Sequence, residues 1–93
     1  MKLPQRYHAL STYMRRKVRE EYVKRQNGLC YHCGAPLNQK PTLEVSKLKV
    51  DKRLFPEGFF DYPVHLHHNH ETGMTIGAVH NYCNAVLFQY HGE

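Results

Sequence analysis

Cys30 and Cys33 form a C-x-x-C pair, and His80 and Cys83 form an H-x-x-C pair. Residues three apart lie close together on a knuckle or a first helical turn, so each pair can reach one ion. Together they make a closed tetrahedral Cys3His set, a standard arrangement for structural zinc. The set uses all three cysteines of the chain, an odd number that suits no self-contained disulfide framework and fits metal-bound thiolates in a reducing compartment. Gly34 lets the chain turn sharply behind the second thiolate. His32, between two ligands, is expected to face outward. The gap from Gly34 to Val79 is much longer than in a compact zinc finger, so a strand-turn-strand unit has to fit inside it.

Zinc takes His80 and leaves the histidines of "HLHHNH", residues 65–70, without a task. On a strand His65 and His67 share a face and His68 points the other way. An adjacent His-His pair at a strand end can therefore divide two jobs, one ring ligating a metal and the other facing a water. Asn84 directly follows the last zinc ligand and offers a carbonyl oxygen that the zinc does not need. A knuckle used only for folding requires neither the His67-His68 pair nor Asn84.

The elements that must position these groups are partly legible. "LSTYMRRKVREEYVKRQNG" predicts a helix, with Ser11 or Thr12 as its cap and Gly28 as a left-handed stop. Leu10, Met14, Val18 and Tyr22 make its apolar stripe, and the basic residues fall largely off that stripe. "CYHCGAPL" is a tight turn. "LEVSKLKV" alternates as a strand does, and "FPEG" has proline and glycine placed for a β-turn. Phe55, Phe59, Phe60 and Tyr62 surround that turn and are expected to pack over the small core. "PVHLH" and "MTIGAV" predict two strands joined at "ETGM", and "NYCNAVLFQYHG" predicts a closing helix ended by Gly92.

With 93 residues the chain is expected to form one domain with a modest core, for which a metal staple is a natural supplement. No apolar leader follows Met1, and no run of about 18 apolar residues could span a membrane. The net charge of +5 is unevenly placed: Leu54 to Glu93 contain no lysine or arginine. A polyanion would therefore have to be held by the N-terminal half. Arg15, Arg16 and Arg19 on the helix and Lys47, Lys49 and Lys52 beyond it are the candidate nucleic-acid contacts. The competing view of the helix is an ordinary solvated face.

"HLHHNH" followed by a short turn, a strand and "HNYCNAVL" resembles the HNH, or ββα-metal, nucleases, in particular the zinc-containing recombination endonuclease VII type. The resemblance covers about residues 28–90. In that type two C-x-x-C pairs bind structural zinc around a strand-turn-strand-helix catalytic unit. Carried over position by position, the resemblance implies that His67 is the metal ligand usually supplied by aspartate. It likewise implies that His68 is the general base, Asn84 the second metal ligand and His70 a loop histidine that helps hold the phosphate or metal. Two departures stand out. His67 in place of aspartate, as in the His-His pairs of colicin-type DNases, removes a negative charge and favours transition metals. His80 in place of a cysteine preserves the zinc set.

The expected fold class is thus α+β: a small ββα-metal (HNH) fold with a structural zinc knuckle and an N-terminal basic helix. It divides into a helical arm at 1–28 and a catalytic unit at 29–93 carrying an insert at about 38–61. The expected function is a metal-dependent DNA endonuclease, with His68 as base, assisted by the carbonyl of His65 or Leu66 in orienting its ring. A divalent ion (Mg2+, Mn2+, Ni2+ or similar) on His67 and Asn84 would act beside the structural Zn2+. The resemblance implies products with 5′-phosphate and 3′-hydroxyl ends. It also hints at a bacteriophage protein working in the bacterial host cytoplasm. The alternatives are a non-catalytic zinc module that binds nucleic acid through the basic helix, and a protein-interaction zinc domain.

Overall fold

The computed structural model describes residues 1–93. Helix α1, Thr12–Arg25, begins where Ser11 Oγ accepts the Met14 N–H at 3.1 Å. Val18 and Tyr22 of its apolar stripe are buried, while Leu10 and Met14 lie half-buried at the margin. The helix stops sooner than Gly28, with Gln26 at the C-cap. Asn27 and Gly28 then both take positive φ, 56° and 75°, to turn the chain into the cysteine knuckle.

Strands β1, Val64–His68, and β2, Thr75–His80, pair antiparallel. The register runs from Val64 opposite His80 to His67 opposite Gly77, then slips so that His68 faces Thr75. Ile76 is the extra residue of this bulge, which falls at the His67-His68 pair and re-aims the second ring. The turn between the strands is organised by Asn69, whose Oδ1 accepts the N–H groups of Glu71 and Thr72 at 2.8 and 2.9 Å. Residues 5–7, which carry no periodic signal, lie along the start of β2. There the Thr75 N–H donates to the Gln5 carbonyl, and the Tyr7 N–H to the Gly73 carbonyl, both at 2.8 Å. The closing helix follows β2 without a loop, spans Asn81–His91 and ends at Gly92 with φ 71°.

Between the knuckle and β1 the expectation of a strand fails. "LEVS" forms a short helix, α2, Leu43–Ser46, and the closing helix is accordingly α3. No strand lies alongside to accept ladder bonds; the Thr42 carbonyl instead takes the Val45 and Ser46 N–H groups at 3.1 and 2.8 Å. Side chains of α3 pin the rest of this segment. Gln89 accepts the Asp51 N–H at 2.9 Å and donates to the Lys49 carbonyl at 3.1 Å. Tyr82 donates to the Leu48 carbonyl, and Asn81 Nδ2 donates to the carbonyls of Phe60 and Tyr62 at 3.2 and 2.9 Å. The turn expected over 55–58 forms one residue later, over 56–59, with the Phe59 N–H on the Pro56 carbonyl at 3.1 Å.

The core gathers where α1 and α3 meet the hairpin: Val18, Tyr22, Leu66, Ala78, Val79 and Val86, joined by Leu37, Val45, Cys30 and Cys83. Phe55, Phe59 and Phe60 stay outside it. They pack on one another and, through Phe55, on Phe88, with ring centroids 4.7–5.9 Å apart. The architecture is a small α+β arrangement around a two-stranded antiparallel sheet. No helix is long and apolar enough to cross a membrane.

Candidate functional site

The knuckle closes through a backbone pairing of Leu29 with Pro36. Within it the Cys30 N–H donates to the Ala35 carbonyl at 2.8 Å, and the Gly34 N–H to the Cys30 carbonyl at 3.0 Å. Gly34 takes φ 81°, as the sharp turn behind the second thiol requires. His80 at the end of β2 and Cys83 on the first turn of α3 arrive from the other side. The four ligand atoms of Cys30, Cys33, His80 and Cys83 all lie within 4.8 Å of one another. His80 Nδ1 stands 3.5 Å from both Cys33 Sγ and Cys83 Sγ, while Nε2 lies 2.9 Å from the Pro36 carbonyl. Donation from Nε2–H to that carbonyl leaves the Nδ1 lone pair aimed at the sulfurs, the arrangement a metal-ligating histidine needs.

The sulfurs themselves ask for a cation. Hydrogen bonding from Cys83 holds the Cys30 thiol down at about 4, and the Cys30 partner together with burial pushes Cys83 up. Three crowded sulfurs cannot all ionise unless a positive ion offsets their repulsion. The donor set, spacing and tautomer fit a structural metal such as zinc.

A cleft of about 940 Å³ opens along β1. One wall is the α1 face bearing Arg15, Arg16 and Arg19; the other holds Phe55, Phe59, Tyr62 and Phe88; His65, His68, His70 and Asn84 lie between them. The structure thus brings together three of the predicted cationic contacts and three of the predicted catalytic positions. His67 is buried and lines a smaller cavity beside His32 and His91 instead. Lys47, Lys49 and Lys52 are exposed and lie off the cleft; the Lys52 ammonium sits 5.6 Å from the Phe60 ring centroid.

The strand alternation sorts the histidines. Asn84 Nδ2 lies 3.1 Å from His65 Nδ1. His68 turns the other way and stacks flat on Tyr7, with centroids 3.9 Å apart and planes 9° apart. Arg15 covers the far face of this pair, its guanidinium 4.0 Å from the Tyr7 ring centroid. The His68 ring is therefore oriented by stacking rather than by the carbonyl of His65 or Leu66. His70, exposed in the turn, stands 4.8 Å from His68.

Burial sets the protonation state of the buried rings. It pushes His65 and His67 below the usual histidine range, partly opposed at His67 by Glu93 and the Asn84 amide. His68 is lowered to about 4 by burial first, then by the nearby His70, His8, His67 and Arg15. All three are neutral near pH 7, as a proton acceptor or metal ligand must be. Tyr7 and His65 are functional candidates that sequence reading missed. Nothing in residues 1–10 signals a contact made some sixty residues away, and His65 is distinguished only by its alternation with His67.

Comparison with protein-family models, curated proteins and solved structures finds no match to this chain.

Proposed function

We propose that the chain is a metal-dependent DNA endonuclease of the HNH, or ββα-metal, kind, hydrolysing phosphodiester bonds with His68 as general base. The observation that carries this reading is the position of His68. A histidine kept neutral to about pH 4 sits in a cleft whose adjacent wall bears three arginines. Arg16 and Arg19 make no ion pair within the chain, so both are available to phosphates. His68 takes the proton of the attacking water, and the stack on Tyr7 fixes the plane in which it does so. His70 reaches the same space from the turn and can hold a phosphate oxygen.

The candidate donors for a second ion are Asn84, the His65 ring 3.1 Å from its amide nitrogen, and His67, two residues further along the same face of β1. Two neutral imidazoles and an amide oxygen suit a transition metal better than magnesium. A divalent ion held there supplies charge stabilisation to the phosphate and the leaving oxygen. His67 and Asn84 would hold that ion, and His65 would join this ligand pair expected from sequence.

The test is incubation of plasmid with the zinc-loaded protein and added manganese, nickel or magnesium, for the parent and for His68→Ala. Loss of the base is expected to slow cutting about 10²–10⁴-fold with zinc content unchanged. Equal cutting by both proteins would remove His68 from this role. No cutting by either would leave a zinc-stapled nucleic-acid-binding module as the reading.

A further inference from the structure

The cleft is asymmetric in a way that bears on which form of DNA it takes. All of its lysine and arginine side chains come from α1; the opposite wall is mainly aromatic and carries no cation, its one charged side chain being the carboxylate of Glu93. A duplex carries a phosphate row on each side of every groove, one charge per ~1.7 Å of axis. Seated here, one of those rows would face phenyl rings and the Glu93 carboxylate, with no cation and only the Tyr62 hydroxyl as a side-chain donor. A single strand has phosphates on one side and bases on the other, which is the polarity of this cleft. Cationic tracking of the backbone beside aromatic stacking platforms is how proteins hold unpaired strands.

The aromatic wall is also placed and exposed for such an occupant. It reaches the histidines, with Phe59 4.7 Å from the His65 ring and Phe88 6.1 Å from the His70 ring. At its outer end Tyr62 is 74% exposed and Leu54 53% exposed, and Phe88 on α3 is 44% exposed. Apolar surface left open on a chain with so small a core has no folding use. A base laid on it would cover it. Facing it across the cleft, Arg16 and Arg19 have no carboxylate partner.

We propose that the cleft binds a single strand of DNA, with its phosphates on Arg15, Arg16 and Arg19 and its unstacked bases on Phe55, Phe59, Tyr62 and Phe88. The inference rests on the endonuclease reading only for which phosphate is cut; binding of the strand stands apart from it.

The experiment uses zinc-loaded full-length His68→Ala protein, which retains both walls. Fluorescence anisotropy compares a labelled single strand of about 12 nucleotides with the duplex of the same sequence. The single strand is expected to bind about tenfold tighter or more. Tyr62→Ala should lose about 5- to 100-fold in single-strand affinity, the effect of one stacked base, and leave duplex affinity unchanged. Phe59→Leu keeps apolar bulk but removes the ring face, and should also weaken the single strand. Duplex bound as tightly as single strand, or parental single-strand affinity in both ring variants, would overturn the proposal. Tight single-strand binding by a parent that cuts neither substrate supports this proposal while removing the endonuclease reading.

Discussion

At the scale of single residues, His68 is defined more by its neighbours than by its own chemistry. Tyr7 lies between it and Arg15, so one face of the ring is covered and positive charge is near. With the side chain lowered to about 4, cleavage is expected to persist at about pH 5, where an ordinary histidine of pKa about 6.5 is mostly charged. A pH–rate profile at fixed metal concentration checks this, and a midpoint near the ordinary value would mean that the stacked ring is not the base. The same sign applies to stability. As pH falls from the unfolded value towards about 4, the unfolded chain takes up a proton that folded His68 refuses, so acidification favours unfolding. The zinc quartet was legible because each half is a three-residue spacing that declares itself locally. The Tyr7 stack was not, because it depends on residues 5–7 lying along β2, which no local pattern encodes.

At the scale of elements, the far end of β2 is finished by a side chain. The Gln26 amide accepts the Ala78 N–H and donates to the Ala78 carbonyl, each at 2.9 Å, and it also donates to the Leu29 carbonyl at 2.7 Å. The Tyr31 N–H adds a bond to the same Ala78 carbonyl at 3.0 Å. This tight seam explains Gly77, where an added Cβ would stand 2.9 Å from Tyr31 Cγ and 3.0 Å from Gln26 Oε1. Gly77→Ala is expected to cost about 1–3 kcal/mol, read as a lowered denaturant midpoint with an unchanged slope; parental stability would mean that the seam yields freely. The hairpin and α3 were legible from period and stop signals. The 38–61 segment was not, because its hydrogen bonds come from Gln89, Tyr90, Tyr82 and Asn81 on a helix that follows it in sequence. Alternation in "LEVSKLKV" implied a strand only if a partner strand existed.

At the scale of the whole molecule, two arrangements join residues far apart in sequence: the Cys3His cluster and the cationic wall of the cleft. Only 16 of 93 residues are buried, so a metal held by the Cys3His set would be a substantial supplement to the core, joining the knuckle to the start of α3. Cys33→Ser, or prolonged chelation, is expected to unfold the chain, since structural zinc contributes its binding energy to folding. Circular dichroism with elemental analysis checks this; a folded, metal-free protein would contradict it. The second arrangement is electrostatic and concerns binding rather than stability. The charge segregation visible in sequence becomes a cationic wall facing the histidines across one cleft. Reversing Arg15, Arg16 and Arg19 to glutamate should weaken DNA binding at moderate salt and flatten the dependence of log K on log salt, by about 0.9 for each lost duplex phosphate contact or about 0.7 for each single-strand contact. An unchanged slope would return α1 to the status of a solvated face. Lys47, Lys49 and Lys52 looked equivalent in sequence, but their helical and turn segments carry them away from that cleft.

The knuckle has one open side. Cys30 and Cys83 are buried, whereas Cys33 is only half-covered. Every reagent that competes for the ion or attacks a sulfur therefore meets the site through a single atom. An oxidant that carries Cys33 to its sulfenic acid would remove one candidate metal ligand and weaken the link between the knuckle and α3. With a metal in the site, oxidation at this one sulfur is expected to destabilise the whole fold, and a thiol reductant to protect it.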